Sequence, residues 1–177
     1  HFKSQKRITK EILERAIKDN FNGANAIYTN FINDDIPCIE KAKKSGIKIV
    51  FESFIPANIG TIIYKENNKY PYIKKEYNET LENVKRGMEL DKIKWDLSDH
   101  IIVPSKFCKD IMVENGVNEK KISVVPYGIE EKWFNFLPRT IEKRILFIGQ
   151  VTLGKGIHYF CEASRIISSQ KLNYNFR

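Results

Sequence analysis

No apolar stretch in this 177-residue chain approaches the ~18–20 residues that a membrane-spanning helix needs. The longest apolar runs cover residues 101–104, 122–126 and 145–148. The first fourteen residues are charged throughout and contain no segment of signal-peptide type. Cysteine is scarce. Cys38, Cys108 and Cys161 form an odd, scattered set, which suits a reducing compartment and buried thiols better than a disulfide framework or a zinc site. No internal repeat and no low-complexity tract is present, and the chain opens on His1 instead of Met, so its start is expected to be missing. There is also no dense basic block. Lys+Arg number 30 against 22 Asp+Glu, a net charge of +8, but the lysines are spread along the chain and read mostly as solvated surface. Such a balance suits nucleic acid, an anionic membrane surface or phosphorylated substrates. No nucleic-acid recognition motif accompanies it, and the aromatic residues are not interleaved with arginine, so no nucleic-acid partner is expected.

What is present is an alternation of short apolar runs with amphipathic ones. Ile8, Ile12, Leu13, Ala16 and Ile17 share one face of a helix over 8–18, which Asn20, Asn22 and Gly23 end. Strands are predicted over 24–29, 47–51, 99–104, 122–125, 144–148 and 174–176. Helices are predicted over 36–44, with Pro37 in the first turn, and over 76–97, with Tyr77, Leu81, Val84 and Met88 as the apolar stripe. Two more follow over 106–115, capped by Ser105 and closed by Gly116, and over 155–168. Residues 53–72, with two prolines, Gly60 and several asparagines, read as loops or a broken helix. This βαβ alternation predicts an α/β fold: parallel sheets with helices on both faces.

Ligands of open parallel sheets bind beyond the carboxyl ends of the strands. Those ends are Glu52-Ser53, Pro104-Ser105, Pro126-Tyr127-Gly128 and the loop 149–156. In the last, a strand runs into Gly149, and a helix is expected to start at Lys155, between Gly154 and Gly156. Open helix amides together with an ammonium suit a phosphate or diphosphate. Residues 149–155 fit G-x-x-x-x-G-K, but Gly156 stands where a P-loop needs Ser or Thr for Mg²⁺. The glycines do not have the G-x-G-x-x-G spacing of a dinucleotide fingerprint either.

A third reading draws on a family. The segments 99–107, 116–117, 121–129 with Phe134, 145–150, 155–157 and Glu162-Ala163 resemble, in order and spacing, the middle of a family 4 glycosyltransferase. The resemblance runs clearly from about Glu82 to Ala163 and more loosely back to Ile8. It implies a partial GT-B architecture of two Rossmann-like domains. Residues 1–137 would be the second half of the acceptor-side domain and 138–177 the first β-α unit of the donor-side domain, with the linker near 136–140. It further implies a retaining transferase that uses a nucleotide-diphospho-sugar as substrate, with no metal and no other cofactor. The acceptor would be a glycan, lipid or small molecule, and the location cytoplasmic, with peripheral contact at the inner membrane surface. Lys155 matches the family's diphosphate-binding lysine, and Gly149 and Gly156 the glycines beside the donor. Gln150 stands where many members carry arginine, so one cation serves where two are usual. Tyr127 and Gly128 match the loop lining the cleft between the domains. Members are about twice as long, and their catalytic glutamate pair would lie beyond Arg177, so the catalytic residues are unassigned and the chain is expected to be a fragment, inactive alone. The alternative is an inactive remnant serving as a basic interaction or membrane-surface module.

Plainer roles are expected for several residues. Ser105 reads as a helix cap rather than a nucleophile, His100 as a packed or edge histidine, and His158 as a surface one. Trp133, Phe134 and Phe136 read as packing between domains, and Glu52 stands where members often carry histidine.

Overall fold

The computed structural model describes residues 11–12, 14–30, 35–54, 59–73, 80–134 and 143–177. The chain divides into two compact units, one drawn from His1–Ile59 and Glu82–Tyr127, the other from Gly60–Leu81 and Gly128–Arg177. The linker expected near 136–140 lies outside the described residues.

In the first unit, a helix through residues 11–12 and 14–18 (α1) ends where Asn20, Phe21 and Asn22 all take positive φ. Ile12, predicted for its buried face, is exposed. Four strands follow: β1 (Ala26–Thr29), β2 (Lys48–Glu52), β3 (His100–Val103) and β4 (Ile122–Val124). They form one all-parallel sheet in the order β1-β2-β3-β4. This is an α/β protein with a Rossmann-like parallel sheet flanked by helices; the α/β class and the parallel strands are as the alternation predicts. Between the strands run α2 (Ile36–Lys44), α4 (Leu81–Leu97) and α5 (Lys106–Glu114). Strands laid down in chain order with right-handed crossovers bring successive crossover helices to the same face. The core agrees. Ile39 and Ala42 of α2, Trp95 of α4, and Cys108 and Met112 of α5 pack with Ile49, Phe51, Ile101, Val103 and Ile122 of the strands. Each large aliphatic or aromatic side chain removed from water there contributes ~1.5–3 kcal/mol. On the opposite sheet face, Val50, Glu52, His100, Ile102 and Ser123 are half-buried and Tyr28 is exposed. His100 Nε2 lies 2.9 Å from Ser123 Oγ there, a packed histidine as expected.

Local chemistry sets the element ends. Ser105 Oγ accepts the Cys108 amide at 3.3 Å, so Ser105 is the predicted N-cap of α5. Gly46 and Gly116, at φ +82° and +93°, close α2 and α5. The C-terminus of α4 ends on lysines: Lys43 Nζ donates to the Leu97 carbonyl at 2.7 Å, and Lys121 Nζ to that of Trp95. Burial, then the Lys43 charge, push the Lys121 ammonium below its ordinary value, against the pull of Asp96 and Asp99. These two lysines are therefore structural, unlike the solvated surface read from their composition. Residues 76–79 of the predicted long helix lie outside the described residues. Its stripe continues beyond Met88 to the buried Trp95.

In the second unit, the stretch 53–72, read as loops or a broken helix, holds a continuous helix. Residues Ile59–Lys69 form a helix, α3. Ile59, Ile63, Glu66 and Tyr70 fall at helical spacing, and this stripe outweighs the breakers Gly60, Asn67 and Asn68. Although the partition at 137/138 leaves α3 with the first unit, its contacts group it with the second, because Glu66 and Tyr70 meet His158 and Tyr159. Strands β5 (Arg144–Ile145) and β6 (Asn175–Phe176) pair in parallel. The pairing carries on past the short strands, with the Phe147 amide on the Arg177 carbonyl at 2.8 Å. Helix α6 (Ile157–Ser169) lays Phe160 between Phe147 and Phe176, at centroid distances of 5.4 and 5.5 Å. Among the described residues no helix is long and apolar enough to cross a membrane.

Candidate functional site

The loop after β5 differs from the predicted helix start. Leu153–Lys155 form a 3-10 turn, and α6 opens only at Ile157. Gly156 between them sits at φ +75°, a left-handed conformation that costs other residues roughly 1 kcal/mol or more. A side chain there would meet nothing closer than Tyr159 Cδ2 at 4.0 Å, so the backbone angle, and not crowding, calls for glycine. The turn satisfies much of its own backbone. The amides of Thr152, Lys155 and Gly156 donate to the carbonyls of Gln150, Thr152 and Leu153 at 3.0, 3.2 and 3.0 Å. Leu153 is buried and pins the turn from one side. Gly149, Gln150, Gly154 and Lys155 face solvent. The Lys155 ammonium makes no hydrogen bond or ion pair among the described residues. The amides of Tyr159 and Phe160 donate to the Gly156 carbonyl at 3.0 and 3.2 Å, which leaves those of Ile157 and His158 as the open amides of the first turn, where the helix dipole places partial positive charge. The sequence-predicted group Gly149, Gln150, Lys155 and Gly156 thus lies on one loop, with one ammonium free for an anion.

Behind that loop stands a cluster that the sequence reading missed. Glu66 Oε2 lies 2.9 Å from His158 Nε2 and accepts the Tyr159 hydroxyl at 3.0 Å, while Oε1 takes the same hydroxyl at 3.0 Å. Lys69 donates to the Tyr159 oxygen at 3.2 Å and lies 5.1 Å above the rings of Tyr70 and Tyr159. His158, predicted to be on the surface, has a side chain only 5% exposed, because Tyr70 packs against its ring at 4.5 Å. Lys69 pulls the Tyr159 phenol down, but the Glu66 hydrogen bond, burial and the Glu66 charge outweigh it, so the phenol titrates above its ordinary value. The hydrogen bonds to Tyr159 and Tyr70 raise the Lys69 ammonium. The signal that could have found this cluster is the i, i+3, i+4, i+7 spacing of Ile59, Ile62, Ile63 and Glu66.

In the first unit, Tyr28, Glu52 and Tyr127 gather at the carboxyl ends of the strands. A hydrogen bond to Glu52, then burial, then the charges of Glu52 and Tyr127 raise the Tyr28 phenol. Tyr28 was not singled out from sequence, though its outward place in the alternation of β1 marks it. Tyr127 is exposed, and Gly128 belongs to the other unit. Trp133 and Phe134, predicted to be packed, are 78% and 64% exposed, and Phe136 lies outside the described residues. Cys38 and Cys108 are buried as expected, whereas Cys161 is exposed. An apolar hollow of about 370 Å³ beside β1, lined in part by Phe21, Ile27, Cys38 and Ile39, holds none of the predicted site residues. No group of three or more His, Cys, Asp or Glu is placed to hold a metal ion among the described residues.

The fold and the loop define an α/β protein with an anion-compatible turn at a strand's carboxyl end. No family model, curated protein or solved structure matches the chain.

Proposed function

We propose that the chain is part of a retaining glycosyltransferase that takes a nucleotide-diphospho-sugar as donor and passes the sugar to a glycan, lipid or small-molecule acceptor. The observation that carries this reading is Lys155, an exposed ammonium with no partner among the described residues, in a glycine-flanked turn just before α6. The ordered motifs between Asp99 and Ala163 support it. Breaking the sugar–phosphate bond leaves negative charge on the departing diphosphate. An ammonium and open helix amides already in place stabilise that charge without reorganisation. In this reading Lys155 holds a diphosphate oxygen and Gln150 offers an amide N–H where a second cation is usual. Gly149 and Gly156 let the backbone come close. No bridging metal takes part. The protein works in the cytoplasm, with peripheral contact at the inner membrane surface.

The test is a calorimetric titration of the chain with inorganic pyrophosphate and with nucleoside diphosphates, for the parent and for Lys155→Ala. We expect the substitution to weaken binding at least about tenfold, the scale of one charge-assisted hydrogen bond. Equal affinity in the two proteins overturns the phosphate role. Binding to anionic vesicles with none to either phosphate would favour an inactive surface-binding remnant.

A further inference from the structure

Lys155 stands between two fixed points. Upstream, Leu153 is buried. Downstream, Gly156 gives the backbone a left-handed joint at φ +75°, and the first turn of α6 begins. A glycine joint leaves the direction of the lysine to whatever holds the helix beyond it. Two residues of that turn, His158 and Tyr159, are held by one carboxylate, Glu66 of α3. A carboxylate only accepts, so its partners are the His158 Nε2–H and the Tyr159 O–H. The His158 ring is buried between Tyr70 and Tyr159, at 4.5 and 4.1 Å, and its Nδ1 is buried with no hydrogen-bond partner. Glu66 is therefore the ring's one polar anchor among the described residues. Lys69 grips the Tyr159 oxygen from its other side at 3.2 Å.

We infer that Glu66 is a positioning residue for the Gly154-Lys155-Gly156 turn, acting through His158 and Tyr159. The inference rests on the phosphate-binding reading of Lys155 and names the residue that sets that lysine's place. Truncating Glu66 leaves a buried N–H and a hydroxyl without their acceptor and frees the first turn of α6. Glutamine keeps an acceptor oxygen at the same reach.

The experiment records amide spectra of the ligand-free chain and its affinity for inorganic pyrophosphate, in the parent, Glu66→Ala, Glu66→Gln and Lys155→Ala. In Glu66→Ala the amide signals of Gly154, Lys155 and Gly156 should move, while those of Gly46 and Gly116 in the other unit stay in place. Pyrophosphate affinity should fall about fivefold, and Glu66→Gln should restore it to within about twofold. A folded Glu66→Ala protein with unmoved 154–156 amides overturns the inference. So does unchanged affinity in Glu66→Ala where Lys155→Ala weakens binding. If Lys155→Ala has no effect, the phosphate reading fails, and the amide shifts alone still decide whether Glu66 controls the turn. Should Glu66→Ala not fold, Tyr159→Phe removes the more exposed contact and should move the same amides; unmoved amides there overturn the inference equally.

Discussion

Replacing Asp99 by alanine should destabilise the first unit by about 2 kcal/mol, chiefly through one buried amide. Asp99 Oδ2 accepts the Ile49 N–H at 2.9 Å, and the Asp99 N–H donates to the Ile49 carbonyl at 2.8 Å. This reciprocal pair ties the start of β3 to β2. Ile49 is fully buried, so its amide depends on this acceptor, although the Asp99 side chain itself is 30% exposed. A hydrogen bond to a charged acceptor is worth ~1.5–3 kcal/mol. Lys43 and Lys48 also approach the carboxylate, at 3.6 and 3.5 Å, but Lys48 is largely in solvent and such pairs contribute ~0–1 kcal/mol. Asp99→Asn retains an acceptor and should cost about 1 kcal/mol. The assay is urea unfolding followed by tryptophan fluorescence in a Trp133→Phe background, which leaves the core residue Trp95 as the sole tryptophan. An Asp99→Ala protein within about 0.5 kcal/mol of its parent would refute the reasoning. Acid supplies a second arm. Burial pushes the Asp99 carboxyl up, but the Ile49 amide and then Lys43 and Lys48 pull it below its ordinary 3.8. A carboxylate lowered in the folded state contributes its full stability above pH 3.8 and loses it as pH falls through the folded value. Asp99→Asn should lack that acid-side loss.

Two further outcomes need less argument. Ser105→Ala, which removes the cap of the Cys108 amide, should lower stability by ~1 kcal/mol in the same urea assay. A thiol reagent should modify Cys161 in the native chain and reach Cys38 and Cys108 only on unfolding; fast reaction of all three would contradict the burial of the first two.

Sequence was a good guide wherever one local signal decided an element. Pro37 in the first turn with Ser45-Gly46 after the last marked Ile36–Lys44, and Ser105 with Gly116 framed α5. It failed where tertiary contacts overrode local cues. Three breakers argued against α3, yet its Glu66 finds partners on α6, ninety-two residues downstream in the case of His158. His158 was misplaced for the same reason, since neither its carboxylate nor Tyr70 is near it in the chain. The Lys155 turn was half legible. The glycines located it, but one residue taking left-handed φ moved the helix start past the lysine. Trp133 and Phe134 were read as packing between domains from residue type alone, and type does not report burial.

The order of the four-stranded sheet has a consequence for how the chain comes together as it is made. Each strand's neighbour is the one synthesised just before it, so the sheet can grow from β1 to β4 without waiting for a later segment. Helix α3 breaks that sequence. It is made between β2 and β3, but the histidine that engages Glu66 emerges only after the sheet's last strand is complete. On the ribosome α3 would therefore be the early segment that is secured last, and the one left exposed to proteases or chaperones while synthesis continues.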